Sequence, residues 1–366
     1  MDADFAIVGG GVVGLSVAWG LLKHGQSVIV IDGTERTPRA SRGNFGLIWV
    51  QGKGTRQPRY AAWSQQSAAL WSDFAVELED STGRNVALEQ RGGLDLHFSE
   101  DSLAEWAAKY EALKAALGGD YPYEILDARA LRLEEPAIGP RVVGALLHHQ
   151  DGHANPLRLL RALSEDVQRL GGRIEAGREV SRVTQGDGLF CITCADGPEI
   201  RAEKVVLAVG LGAAMLGPQL GFKTPVNPER GQILITEKLP PLIRRPSLIA
   251  RQVNEGGVQI SATNERVGMD DGVTGKGLAQ LAAEAVAAYP ALARAKLLRS
   301  WGALRVMTPD GLPVYQESGV MPGAFLITCH SGITLAAAHA RLVGDWLLGR
   351  PDAPDLEVFG EARFAI

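Results

Sequence analysis

Apolar positions along this chain follow two rhythms, and their order predicts an architecture. Residues 5–8 form a short β-branched apolar run ending in glycines, as a buried parallel strand does. Residues 12–24 carry apolar side chains at helical spacing, with Gly25 as the C-terminal stop. Residues 27–31 are a second continuous β-rich run. This β-α-β unit of about thirty residues has the size of one Rossmann half.

The helical rhythm returns at 60–79, 102–117, 127–136, 156–170, 277–289 and 334–348, the last an amphipathic helix. Strands are predicted at 88–98, with a tight turn at Gly92 and Gly93, and at 174–183, 190–194, 204–209 and 325–328. Alternation over 232–263 suits an antiparallel sheet. Residues 34–59, with many Gly, Arg, Pro and Ser, predict an ordered loop. With α/β segments at both ends and antiparallel β between, the expected fold is α/β (α+β overall). It has a discontinuous Rossmann-like nucleotide-binding domain into which an antiparallel β-sheet substrate domain is inserted.

Composition narrows the function classes. Of 366 residues, 46% are hydrophobic and 22% charged, which suits a large core and excludes disorder. A net charge of −5 gives no basic excess for nucleic acid or an anionic membrane surface. Three cysteines are too few for a disulfide framework, so a reducing cytoplasm is expected. Cys191 and Cys194 sit on a predicted strand, where positions three apart face opposite ways, and no second pair completes a zinc site. His148, His149 and His153 cluster in a loop with Asp151 and Gly152, which reads as structural, so no metal is expected. The apolar runs at 7–22 and 205–217 are shorter than a membrane span of about 20 residues. No transmembrane or targeting segment is expected.

Gly9, Gly11 and Gly14 make G-x-G-x-x-G between the first strand and its helix, with Val12 and Val13 opening that helix. The first glycine permits the tight turn, the second lets a pyrophosphate approach the backbone, and the third lets helix and strand pack closely. The helix N-terminus offers N–H groups and a positive dipole end to phosphates. Asp32 ends the second strand, where an acid accepts a hydrogen bond from a ribose hydroxyl. These residues predict dinucleotide binding and leave FAD and NAD both open.

Further segments resemble the FAD-dependent glycine oxidase, sarcosine oxidase and D-amino acid dehydrogenase family. Residues 40–46, with Ser41, Arg42, Asn44 and Gly46 followed by Leu47, resemble the family's S-x-x-N-x-G loop along the pyrophosphate and flavin. Residues 204–212, with Ala208 and Gly210, resemble its second flavoprotein motif, and Val180 stands where such proteins hold the adenine with backbone atoms. Arg230-Gly231-Gln232 resembles the R-G-Q that opens the substrate-domain strands, and residues 260–268 its G-A-T-x-E segment, with Ser261 for the glycine. Residues 301–313, including Gly302 and Arg305, resemble W-x-G-x-R…T-P-D-x-x-P. Residues 329–335, with Cys329, His330, Ser331, Gly332, Ile333 and Thr334, resemble G-H-x-x-G-x-x-x-A beside the flavin. There cysteine replaces the glycine and one residue is missing before Gly332, which puts the role of His330 in question. The loop with Trp49 and Lys53 is most similar to catalytic subunits of heteromeric opine and D-hydroxyproline dehydrogenases and of hydrogen cyanide synthase.

The resemblance implies an FAD-binding domain from residues 1–85, 145–225 and 325–366, and a substrate domain from 86–144 and 226–324. It implies non-covalent FAD, since Ala303 stands where sarcosine oxidases carry their linking cysteine. It also implies oxidation of the C–N bond of an amino acid, imino acid or opine by hydride transfer to flavin N5, giving an imine that water hydrolyses. Arg305 would grip the substrate carboxylate with two parallel hydrogen bonds. Residues 332–334 would begin the last helix and point its N-terminus at the flavin. His330 has two readings, a pocket residue or a satisfied buried histidine. Arg251, beside Gln252 on a substrate-domain strand, is a candidate second cation for an opine's extra carboxyl groups, and Trp49 and Lys53 are candidate pocket or flavin neighbours. Three readings compete: a dehydrogenase subunit of a heteromeric complex, an oxygen-using glycine, sarcosine or D-amino acid oxidase, and a non-catalytic flavin-binding subunit. A pyridine-nucleotide dehydrogenase would leave the 331–334 segment unexplained.

Overall fold

The computed structural model describes residues 1–33 and 40–364. Ala3–Val8 and Val28–Asp32 are adjacent parallel strands joined by the helix Val12–Lys23. They lie inside an eight-stranded sheet whose main path runs Val314–Glu317, Ala324–Thr328, Ile200–Leu207, Ala3–Val8, Val28–Asp32 and Arg173–Ala176. Strands Val180–Gly186 and Leu189–Cys194 extend it from Ile200–Leu207. The two faces follow the period-two alternation of buried strands. Ile7 and Val30 pack under a helical layer that includes Trp19, Trp71 and Phe74. Val8, Ile29 and Ile31 face the opposite way, onto Phe190, Leu216 and Phe222.

Two smaller sheets carry the inserted part. One is antiparallel, in the order Ala250–Gln252, Gly257–Ile260, Asn227–Lys238, Leu297–Met307. The other joins Gly93–His97, Gly144–His148 and Tyr123–Asp127. The three segments of sheet therefore agree with a discontinuous domain and an insertion. Gly144–His148 pairs within the small sheet, and Val314–Glu317 pairs with Ala324–Thr328 in the large one.

Several expected elements change. The strand expected at 174–183 breaks after Ala176, where Gly177 has φ +79° and Arg178 N–H donates to the Asp32 carbonyl. Of 88–98 only Gly93–His97 is a strand, because Gly92 at φ +91° turns its N–H to the Asp151 carbonyl. The last helix is also interrupted. It begins at Ala336 and is broken at Leu342 into Ala336–Arg341 and Val343–Leu347. The Ser67 hydroxyl donates to the Thr334 carbonyl and accepts from Ala338 N–H, so it occupies the place of the 334–338 helical bond. Trp71 Nε1–H adds donations to the Ile333 and Thr334 carbonyls. Of the loop expected at 34–59, residues 34–39 lie outside the described residues.

The helix Val12–Lys23 touches Ala336–Arg341 at Gly20, where a Cβ would stand 2.5 Å from the Ala340 carbonyl oxygen. Gly20→Ala is expected to cost about 1–3 kcal/mol of stability by overpacking, read from the urea midpoint at unchanged slope. No helix among the described residues is long and apolar enough to cross a membrane.

Candidate active site

The parallel strands converge on the site. Ala3–Val8 pairs with Val28–Asp32 on one side and Ile200–Leu207 on the other, so the strand order reverses beside Gly9. Crevices at such switch points receive ligands at the carboxyl ends of strands. A cavity of about 380 Å³ opens there. It is lined by Gly9, Gly11, Val12, Val13, Asp32, Ser41, Arg42, Asn44, Val180, Ala208, Gly210, Gly332 and Ile333, all expected from the sequence.

The glycines are tight in the way the fingerprint requires. Gly9 has φ +110°, and a Cβ on it would stand 2.4 Å from the Ala208 carbonyl oxygen. A Cβ on Gly14 would lie 1.9 Å from the Gly9 carbonyl oxygen, so Gly14 acts by packing behind the cavity. Gly10 N–H donates to Asp32 Oδ1 at 3.0 Å, and Val12 N–H donates to Ser41 Oγ at 3.0 Å. Asp32 and the Ser41 loop thus hold the turn as well as line it. A crevice lined by an acid, a bare glycine turn, and Gly332 and Ile333 fits a dinucleotide with a flavin.

A second cavity of about 440 Å³ lies alongside. The two share Ala40, Asn44, Leu304, His330 and Ile333 as walls. Lys53, Trp49, Glu229, Arg305, Ser331 and Thr334 line the second cavity. Arg305 and Glu229 come from neighbouring antiparallel strands and stand directly opposite in register. Arg305 Nη1 donates to Glu229 Oε1 at 3.1 Å, to Asn264 Oδ1 at 2.7 Å and to the Thr263 carbonyl at 3.0 Å. Leu47 also lines this second cavity.

Lys53 Nζ donates to Ser331 Oγ at 2.7 Å and Thr334 Oγ1 at 3.0 Å, and Tyr60 hydrogen-bonds Ser331 at 2.8 Å. Burial pulls the Lys53 amine down to about 7, opposed by the nearby Asp151 charge. His330 lines both cavities and is exposed within them; desolvation, with the Lys53 and Arg305 charges, lowers its pKa from the ordinary imidazole value. It is therefore a neutral pocket residue. Burial pushes the Cys329 thiol up to about 12, with Lys53 opposing.

Besides Gly14, three expected site residues line neither cavity. Arg251 is buried behind the wall, where it donates to Gln259 Oε1 at 3.0 Å, bonds His153 Nδ1 at 2.8 Å and stacks over Phe45. Gln259 on the adjacent Gly257–Ile260 strand, His153 and the Ala154 carbonyl are its partners, and it lines neither cavity. Gly302 packs against the Asp271 carbonyl, 2.3 Å from where its Cβ would be. Gly46, at φ +93°, abuts the Ala154 carbonyl and Arg251. Neither lines a cavity, so both shape the site indirectly. The three clustered histidines diverge: His148 is buried, His149 meets Glu124 at 2.9 Å, and His153 meets Arg251. Among the described residues no His, Cys, Asp and Glu group is placed to hold a metal.

Sequence reasoning missed Glu229, Asp151 and Tyr60. Glu229 was findable, since it directly precedes the Arg230-Gly231-Gln232 segment on an alternating strand. Asp151 accepts from Val50 N–H and, at 2.9 Å, from Gln51 Nε2, and nothing local in sequence announces that. Burial pushes its carboxyl up to about 7, against those hydrogen bonds and the Lys53 charge. The folded protein thus keeps a proton there that the unfolded chain releases near pH 4. This contribution to stability is full below about pH 4 and is lost as the pH rises toward 7. Asp151→Asn is expected to remove that slope, up to about 1.4 kcal/mol per pH unit, seen as a flatter urea midpoint between about pH 4.5 and 7.

Fold and crevice together define a flavin-dependent oxidoreductase of the doubly wound type. The family described as DAO, FAD dependent oxidoreductase, matches residues 4–346, and the chain belongs to it. It is 38% identical over 368 residues to an opine oxidase subunit of Rhizobium meliloti, covering 99% of this chain and 98% of that one. It is 27% identical over 405 residues to the hydrogen cyanide synthase subunit HcnC of Pseudomonas aeruginosa, covering 99% and 96%. The crystal structure of glycine oxidase from Geobacillus kaustophilus superposes with a TM-score of 0.90 at 27% identity, covering 98% of each chain.

Proposed function

We propose that the protein oxidises the C–N bond of an amino acid, imino acid or opine, as a dehydrogenase catalytic subunit within a heteromeric complex. The observation that carries this reading is Arg305, a guanidinium on the wall of a cavity that shares His330 and Ile333 with the cofactor crevice. Bound FAD supplies the two-electron acceptor. The chain's own residues bind and orient. Gly9, Gly11, Asp32, Ser41 and Val180 hold the dinucleotide, and Arg305 takes the substrate carboxylate bidentately. That contact fixes the α-carbon against the shared wall, which is an orientation effect. His330, neutral at physiological pH, shapes that wall without adding charge. No base is assigned, because an amine that arrives neutral needs none.

Similarity to the opine oxidase subunit favours a secondary amine substrate and a multi-subunit assembly. Similarity to glycine oxidase keeps an oxygen-using primary or secondary amine oxidase as the second reading. Free cysteines at 191, 194 and 329 accord with a reducing compartment such as the cytoplasm. Anaerobic bleaching of the flavin-loaded protein tests the reading, with glycine, sarcosine, D-amino acids, D-proline, cis-4-hydroxy-D-proline, octopine and nopaline as candidates. Bleaching by one class with slow recovery in air supports the dehydrogenase. Fast recovery supports the oxidase, and a yellow protein that nothing bleaches supports a non-catalytic flavin subunit.

A further inference from the structure

We propose that Lys53 is the proton acceptor of this site, taking the proton from a substrate nitrogen that enters the second cavity as an ammonium. The inference rests on the proposed amine-oxidising function and adds a catalytic residue to it.

The chemistry sets the need. An alkyl ammonium such as that of lysine keeps its proton to about pH 10. Its nitrogen then has no lone pair, so the α-carbon cannot give up a hydride and form C=N. An amine that arrives neutral needs no base, but at neutral pH it is about one molecule in a thousand. The site gains the rest if one of its own groups takes the proton.

The hydrogen bonds of Lys53 fit a group waiting to do so. Lys53 lines the second cavity, and its Nζ donates to Ser331 Oγ at 2.7 Å and Thr334 Oγ1 at 3.0 Å. The Thr334 hydroxyl is itself directed at the Leu47 carbonyl, so it accepts from Lys53. Among the described residues Nζ has no third hydrogen-bond partner and no carboxylate at ion-pair distance. An ammonium carries three donors. A neutral amine carries two and a lone pair, so two acceptors satisfy it and leave the lone pair to the cavity.

The other groups facing Lys53 or this cavity are poorer acceptors. Cys329 and His330 follow the Ala324–Thr328 strand. Burial pushes the Cys329 thiol up to about 12, so it keeps its proton, and desolvation lowers the His330 imidazole and weakens it as a base. Burial likewise raises Tyr60, on the Pro58–Thr82 helix, well above an ordinary phenol. On the antiparallel strands Glu229 is tied to Arg305 at 3.1 Å, and a guanidinium has no acceptor. Burial brings Lys53 near 7, where a base is most effective at physiological pH. Asp151, in the turn after Gly144–His148, opposes that shift and balances the cation that Lys53 becomes. The step is closed: an N–H bond of the ammonium breaks and one forms on Lys53. Two electrons and the α-hydrogen then pass to FAD as the nitrogen lone pair makes C=N. Lys53 returns its proton to solvent after product leaves.

The alternative role is structural, a pin for the turn at 331–334. Anaerobic stopped-flow reduction of the FAD-loaded protein separates the two, with the substrate that bleaches it, in wild type and Lys53→Met. Wild-type efficiency of reduction should fall only below about pH 7, where Lys53 is already protonated. The variant should depend on the neutral amine alone. It should lie about a hundredfold below wild type at about pH 8, climb tenfold per pH unit, and meet wild type near about pH 10. Asp151→Asn should move the wild-type limb to lower pH, since the Asp151 charge raises Lys53. A structural pin lowers the variant by one factor at every pH, so parallel profiles overturn the proposal. Wild type alone decides if the variant folds poorly. On warming, the limb of an amine moves to lower pH and that of a carboxylate hardly shifts, so a stationary limb, or none, also overturns it. Failure of every candidate to bleach the flavin removes the proposed oxidation itself, whereas bleaching with parallel profiles removes the base alone.

Discussion

Gly14→Ala is expected to give a protein that purifies without its yellow cofactor. Its methyl would sit 1.9 Å from the Gly9 carbonyl oxygen and 3.3 Å from Ala208 Cβ. Both neighbours are parts of the cofactor crevice, and the nearer is rigid backbone at φ +110°. The turn must therefore open, and the N–H groups at the start of the Val12–Lys23 helix leave their phosphate-facing positions. Loss of about 3 kcal/mol of FAD affinity or more is expected, a hundredfold or greater rise in Kd. The ratio of flavin to protein absorbance measures it, with circular dichroism to confirm the fold. Full retention of flavin would mean that the crevice tolerates a displaced turn and that the fingerprint contributes little.

Arg305→Met should be the second large effect. Truncating one member of a desolvated charge pair costs about 2–5 kcal/mol, or about thirtyfold to a few thousandfold in the efficiency of flavin reduction. The loss has two parts. The carboxylate anchor disappears, and Glu229 is left facing the cavity, where it repels an anionic substrate. The double variant Arg305→Met, Glu229→Gln separates them, since it should recover the repulsive part alone. Stopped-flow reduction under anaerobic conditions gives both numbers. A single variant as efficient as wild type would move the anchor elsewhere in the cavity.

The parts of this site that the sequence exposed are those whose chemistry is local. Gly9, Gly11 and Gly14 stand at fixed offsets because one turn needs them, and Asp32 closes the next strand. The last helix was legible but its start was not, because that start is set by Ser67 from a helix more than two hundred residues earlier. A hydroxyl inserted into a backbone ladder leaves no trace in helical spacing. Arg251 and Arg305 look alike along the chain, each flanked by strand residues. Only the pairing of strands shows that one stacks on Phe45 behind the wall and the other sits beside Glu229 on the cavity wall. Lys53 was visible as a residue of an unusual loop, but its hydroxyl partners arrive from residues 331 and 334.

The placement of Ala324–Thr328 between Val314–Glu317 and Ile200–Leu207 has a consequence for synthesis on the ribosome. Until those residues leave the exit tunnel, residues 205–207 keep an apolar edge without its neighbour, while Leu189–Cys194 already covers residues 200–202. Such an edge is a template for pairing with other chains. The nascent protein also lacks the wall formed by residues 327–333 until that segment is made, so flavin capture waits for it. Chains that stall or are cut before that strand should be sticky, colourless and prompt substrates for cellular proteases.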